Sequence, residues 1–124
     1  MLFRSSLFEA ALACEGLRLP ELFCGFARVG GYGPTPYPVA CSPQAWAAGV
    51  VFQLISGILG LVPDARRNLL TLERPMLPPW LAWVEIRGLG VRTSTVDLRV
   101  TRSRHGAAVE VLNREGDAAI AVTG

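Results

Sequence analysis

One histidine and three cysteines are all the imidazole and thiol ligands that this 124-residue chain offers a metal ion. His105 stands alone, and Cys14, Cys24 and Cys41 show no C-x-x-C spacing, so a zinc-type site has almost no ligands to draw on. An odd number of cysteines does not make a disulfide framework. The three read as buried thiols in a reducing compartment. Charge is also scarce: 18% of the residues are charged, the net charge is +2, and the arginines are scattered. Without a basic block or basic residues interleaved with aromatics, nucleic-acid binding is excluded. Disorder is excluded too, because 51% of the residues are hydrophobic. That fraction is somewhat rich for one small free-standing domain and implies surface that something else covers.

An export signal is not expected. Arg4, an apolar stretch and Ala11-Leu12-Ala13-Cys14 outline a lipoprotein cleavage site, but Glu9 interrupts the stretch. Ala11 also stands where a larger aliphatic residue is usual. The chain is therefore expected to be cytoplasmic. From Ala45 to Val62 only Gln53 and Ser56 are polar, a length within range of a membrane span. Gln53 lies mid-run, Gly49, Gly57 and Gly60 permit close helix packing, and no basic flanks mark the ends. This reads as a buried helix rather than a membrane helix.

Leu2, Phe3, Leu7, Phe8, Ala11 and Leu12 recur at helical spacing, which predicts an amphipathic helix over 2–15 ended by Gly16. Residues 17–42 form a long Gly/Pro-rich loop, with Gly25, Gly30, Gly31 and Gly33 ahead of Pro34, Pro36 and Pro38. Loops of this length in compact domains are usually functional or disordered. Phe23, Phe26, Tyr32 and Tyr37 favour order. Ser42-Pro43 reads as a helix start, Ser42 capping and Pro43 at the first helical position. After Pro63 the pattern changes. Leu70 and Leu72 begin an alternation, Trp83–Arg87 reads as a strand, and Gly88 and Gly90 mark a turn or bulge. Val96, Leu98 and Val100 alternate on one face of the next strand. Strands at 108–112 and 118–122 follow hairpin turns at Arg104-His105-Gly106 and Arg114-Glu115-Gly116-Asp117. The chain divides into a helical part, 1–62, and an antiparallel β part, 63–124.

Glu21 is the sole carboxylate between Gly16 and Val62, set in Leu19-Pro20-Glu21-Leu22-Phe23. A carboxylate among apolar and aromatic residues can have its proton affinity tuned for acid–base work. Tyr37, Gln44 and Trp46 follow in Tyr37-Pro38-Val39-Ala40-Cys41-Ser42-Pro43-Gln44-Ala45-Trp46. Aromatic faces stack on sugar C–H surfaces, and an amide can bond two hydroxyls. Each of these residues has a plainer reading as loop or core packing, and Trp80 and Trp83 read as packing under the helices.

This order of motifs resembles the C-terminal end of bacterial amylo-α-1,6-glucosidases, glycogen-debranching-type enzymes with an (α/α)6 barrel. More distantly it is similar to glucoamylases and mannosylglycerate hydrolases. Pro78-Pro79-Trp80-Leu81, Arg87-Gly88-Leu89 and Val96-Asp97-Leu98-Arg99 extend the resemblance over nearly the whole chain. The resemblance implies an α+β fragment: the last two helices of the barrel followed by a small antiparallel β tail. It implies Glu21 as general base and Tyr37, Gln44 and Trp46 as substrate-binding residues. No metal or cofactor is implied. The expected partners are an α-glucan or oligosaccharide substrate and a missing N-terminal barrel portion, with no nucleic acid and no membrane. Inverting hydrolysis needs an acid as well as a base, with roughly 6.5–9.5 Å between the two carboxyl groups. In the family that acid lies upstream of the matching region, so the chain alone is expected to be inactive. The alternative is a non-enzymatic helix-plus-sheet module that binds a partner through its apolar helix, or, less favoured, a membrane-associated protein.

Overall fold

The computed structural model describes residues 2–27, 29–104 and 106–124. His105, expected in a hairpin turn, lies outside them. Among the described residues there are two α-helices, a short 3-10 turn and six strands in two sheets. The chain forms two compact units, Met1–Ile55 and Ser56–Gly124.

In the first unit, α1 (Leu2–Leu12) is shorter than the periodicity predicts, and a 3-10 turn (Glu15–Leu17) follows it with Gly16 at φ 60°. Ala10, Ala11 and Leu19 form a small core, with Leu7, Cys14, Phe23, Ala47, Val50 and Val51 packed against it. Leu12, expected on the apolar face, is exposed.

Helix α2 (Ala45–Leu59) begins later than Ser42-Pro43 suggests. The Ser42–Pro43 peptide is cis, and the carbonyl of Gln44 accepts the first helical bond, from the N–H of Ala48 at 2.8 Å. Gln44 therefore occupies the N-cap position, not Ser42. The helix is not buried all round as expected. Only Leu59 is fully covered, while Trp46 and Phe52 are exposed. With 15 residues it is about 22 Å long, short of a hydrocarbon core of about 30 Å. Among the described residues no helix is long and apolar enough to cross a membrane.

The second unit overturns the expected architecture. Instead of a small antiparallel tail behind two barrel helices, it carries both three-stranded sheets. In the first, β1 (Leu61–Asp64) pairs antiparallel with β2 (Leu69–Glu73), which pairs parallel with β6 (Ala119–Thr123). Pro63 sits in β1, the edge strand, where a missing N–H is tolerated. The turn after it is an Asx turn: Asp64 Oδ1 accepts from the N–H groups of Arg66 (2.9 Å) and Arg67 (3.1 Å). Gly60, at φ 60°, makes the passage from α2 to β1, and its carbonyl accepts from the Glu73 N–H at 2.8 Å.

The second sheet is the meander β3 (Trp83–Val91), β4 (Ser94–Ser103) and β5 (Gly106–Glu115). Its inner face buries Val96, Leu98 and Val100 completely, as their alternation predicts. Gly88 and Gly90 do not end β3. Gly88 lies in a register shift between Ile86 and Leu89, the expected bulge, where its N–H donates to Asp97 Oδ1 at 2.7 Å, while Gly90 pairs regularly with Thr95. Arg114–Asp117 is not a hairpin turn, because β6 leaves β5 and joins β2 in the other sheet. The buried Ser94 marks the crossing: its Oγ accepts from the N–H groups of Asp117 and Ala118, both at 3.2 Å.

Candidate functional site

The long loop of the first unit is ordered by pairing with itself. Residues 19–24 run against 35–44. The Cys24 N–H donates to Thr35 O (2.9 Å), the Cys24 thiol to Pro36 O (3.3 Å), and Phe23 bridges Pro36. Farther along, the Glu21 N–H donates to Cys41 O (2.9 Å) and the Gln44 N–H to Leu19 O (3.1 Å). Leu-Pro-Glu-Leu-Phe explains the local layout. Leu19 and Pro20 are buried, Phe23 packs on the core, and Glu21 and Leu22 between them turn outward.

Glu21 thus stands on an anchored loop with its carboxylate toward solvent. The Cys41 N–H donates to its Oε2 at 3.3 Å, which restricts the carboxylate's rotation. The same pairing brings Gln44, half-buried, onto the segment next to Glu21. Tyr37 and Trp46 lie on the chain either side of that segment, 45% and 86% exposed. All four residues expected at the site therefore sit on the paired loop or the first turn of α2. A surface carboxylate held this way can accept a proton from a water molecule, and exposed rings can take a sugar face.

The cysteines differ from their expected uniform burial. Cys14 and Cys24 are half-buried and Cys41 is exposed; all three are free thiols. The Cys14 thiol donates to Ala10 O at 3.2 Å, and burial raises its pKa above the ordinary thiol value. Among the described residues, no group of three or more His, Cys, Asp or Glu is placed to hold a metal ion.

Two features escaped the sequence reading. The first is a groove of about 560 Å³ in the first unit, lined by Ala13, Phe26, Val29, Tyr32, Pro34 and Pro36 among others. None of the four expected site residues lines it. The aromatics of the Gly/Pro loop were its signal. The second is the outer face of the second sheet. Trp83, expected to pack under the helices, is 54% exposed there. The Arg99 guanidinium carbon lies 5.6 Å from the Trp83 ring centre. Glu85 fixes that guanidinium, Oε1 accepting from Arg99 Nε at 3.0 Å, while Oε2 accepts from Arg87 Nη2 at 2.9 Å. These bonds, Arg99's first and Arg87's second, hold the Glu85 pKa below the ordinary glutamate value. Alternate polar positions in β3 and β4 were the sequence signal for this face.

In comparisons with known proteins, no family model, curated protein or solved structure matches the chain.

Proposed function

We propose that this chain supplies the general base, Glu21, to a glycoside hydrolase that cleaves α-1,6 branch linkages of α-glucans with inversion. The observation that carries the reading is the Glu21 carboxylate, outward-facing on a self-paired loop and oriented by the Cys41 N–H. In this reading Glu21 takes a proton from water as that water's oxygen bonds to the anomeric carbon. The glycosidic C–O bond breaks on the opposite side, and the leaving oxygen takes a proton from an acid. That acid belongs to a segment outside these 124 residues. Gln44 hydrogen-bonds substrate hydroxyls, and Tyr37 and Trp46 offer ring faces to the sugar.

The purified chain is then inactive on a branched α-glucan. Hydrolysis by the chain alone, abolished by Glu21→Gln, would refute the need for an outside acid. When the acid-bearing segment is supplied from adjoining coding sequence, hydrolysis releases β-glucose first. Glu21→Gln then lowers kcat by about 10²–10⁴-fold, the usual worth of a general base. Unchanged kcat in that variant removes Glu21 from the role. The exposure of Trp46 and Phe52 favours a second reading, a non-enzymatic module that binds a protein through α2. Adjoining coding sequence that encodes no acid-bearing hydrolase segment would favour the module.

A further inference from the structure

The outer face of the second sheet carries an ordered set of aromatic, small and charged side chains. Cross-strand partners share a face, so its rows follow from the register. One row is Trp83, Thr101 and Ala108; the next is Glu85, Arg99 and Glu110. In the first row a large ring stands at the edge strand and two short side chains follow it. That leaves an open floor beside the indole, with Thr101 and Ala108 both exposed. In the second row, charged groups line the floor. Arg99 is held both against the ring and by Glu85, so its direction is set before any ligand arrives.

Arg99 covers one face of the Trp83 ring, and an apolar face that it leaves free, next to fixed donors and acceptors, matches a pyranose, which has one C–H face and a rim of hydroxyls. Charge decides against a polyanion. This face presents Arg87 and Arg99 against Glu85, Asp97, Glu110 and Glu115, two guanidinium groups to four carboxylates. Single-stranded nucleic acid binds where basic residues outnumber acidic ones along the backbone path, which this face does not provide.

We infer that Trp83, the Thr101–Ala108 floor and the Glu85–Arg99 pair form a non-catalytic binding site for a neutral oligosaccharide chain. The site is separate in sequence and in unit from Glu21. The site itself rests on the sheet; only the choice of an α-glucan as its ligand rests on the hydrolase reading.

Affinity electrophoresis of the full chain in native gels containing glycogen, hydroxyethylcellulose or no polymer tests the inference. Glycogen is expected to retard the wild type. Trp83→Ala is expected to bind about tenfold or more weakly. Ala108→Arg, which fills the floor from an exposed position, is expected to do the same while keeping wild-type thermal stability. Retardation by hydroxyethylcellulose alone, lost in both variants, supports the sheet site and counts against the α-glucosidic reading. No retardation in either polymer overturns the inference, as does retardation that Trp83→Ala and Ala108→Arg leave undiminished. Binding of a single-stranded oligonucleotide that depends on Trp83, without retention by either glycan, overturns it as well.

Discussion

Replacing Gly60 by alanine separates two reasons for a glycine at the end of a helix. Gly60 has φ 60°, so any β-carbon there strains the backbone. For a single residue that strain is about 1–2 kcal/mol. Space adds a second penalty. An added β-carbon would lie 1.9 Å from the carbonyl oxygen of Glu73, 2.7 Å from its carbonyl carbon and 2.9 Å from its nitrogen. All three are backbone atoms of β2, so no rotamer change relieves the contact. The α2–β1 junction has to move away from β2. The bond from the Glu73 N–H to Gly60 O is then lost, about 1 kcal/mol. The fully buried Leu59 and Leu72 beside it loosen, adding about 1 kcal/mol or more. The total is about 3–4 kcal/mol.

Gly88→Ala is the control. Gly88 has φ 68°, and an added β-carbon there meets nothing within 4 Å. It should show the strain alone, about 1–2 kcal/mol. Urea unfolding followed by far-UV circular dichroism reads both. With an m-value of about 1 kcal/mol/M, the midpoint falls by about 3–4 M for Gly60→Ala and about 1–2 M for Gly88→Ala. Midpoints that agree to within about 0.5 M would refute the steric argument.

Two further outcomes follow from polar groups in the second unit. Ser94→Ala deprives the Asp117 and Ala118 N–H groups of their acceptor. Ala118 is fully buried, so the loss is expected to be about 1–3 kcal/mol, with faster hydrogen exchange at the Ala118 amide. Unchanged exchange there would show that Ser94 does not hold the crossing. The Glu85 pKa is lower in the folded chain than in the unfolded one. Its contribution is therefore fully present above the unfolded pKa of about 4.3 and is lost as pH falls through the folded value. Glu85→Gln is expected to reduce stability at neutral pH and to flatten its decline below about pH 5. A parallel decline in both proteins would show that the Arg99 and Arg87 bonds do not persist in solution.

The sequence exposed what depended on local pattern. Val96, Leu98 and Val100 alternate because a sheet has two faces, and their burial needs no long-range information. Leu70 and Leu72 are buried on the same logic. What escaped depended on partners far along the chain. Strand β1 was hidden because Leu61-Val62-Pro63 continues the apolar run of α2, and only pairing with β2 makes it a strand. The barrel expectation failed for a related reason. Resemblance carried the helices forward as a pair, while the strand-forming residues after Gly60 assemble two sheets. At the candidate site, Leu-Pro-Glu-Leu-Phe made Glu21 readable. Its hydrogen bond from Cys41 was not, because twenty residues separate the partners. Trp83 was misplaced because an exposed indole and a core indole look alike until the register gives the face.

The parallel pairing of β2 with β6 also governs when this unit can assemble. Leu69 lies opposite Ala119, so the pairing closes a loop of about 50 residues, an entropic charge of about 3.5 kcal/mol before any contact forms. Strands β3, β4 and β5 close through short turns and face far smaller charges. During synthesis the meander can condense on its own while β1 and β2 wait with one edge open. The unit's buried leucines on β2 become sheltered only when β6 emerges and closes that edge. Until then the nascent chain carries β2 with one edge unpaired, the stage at which a chaperone would be of most use.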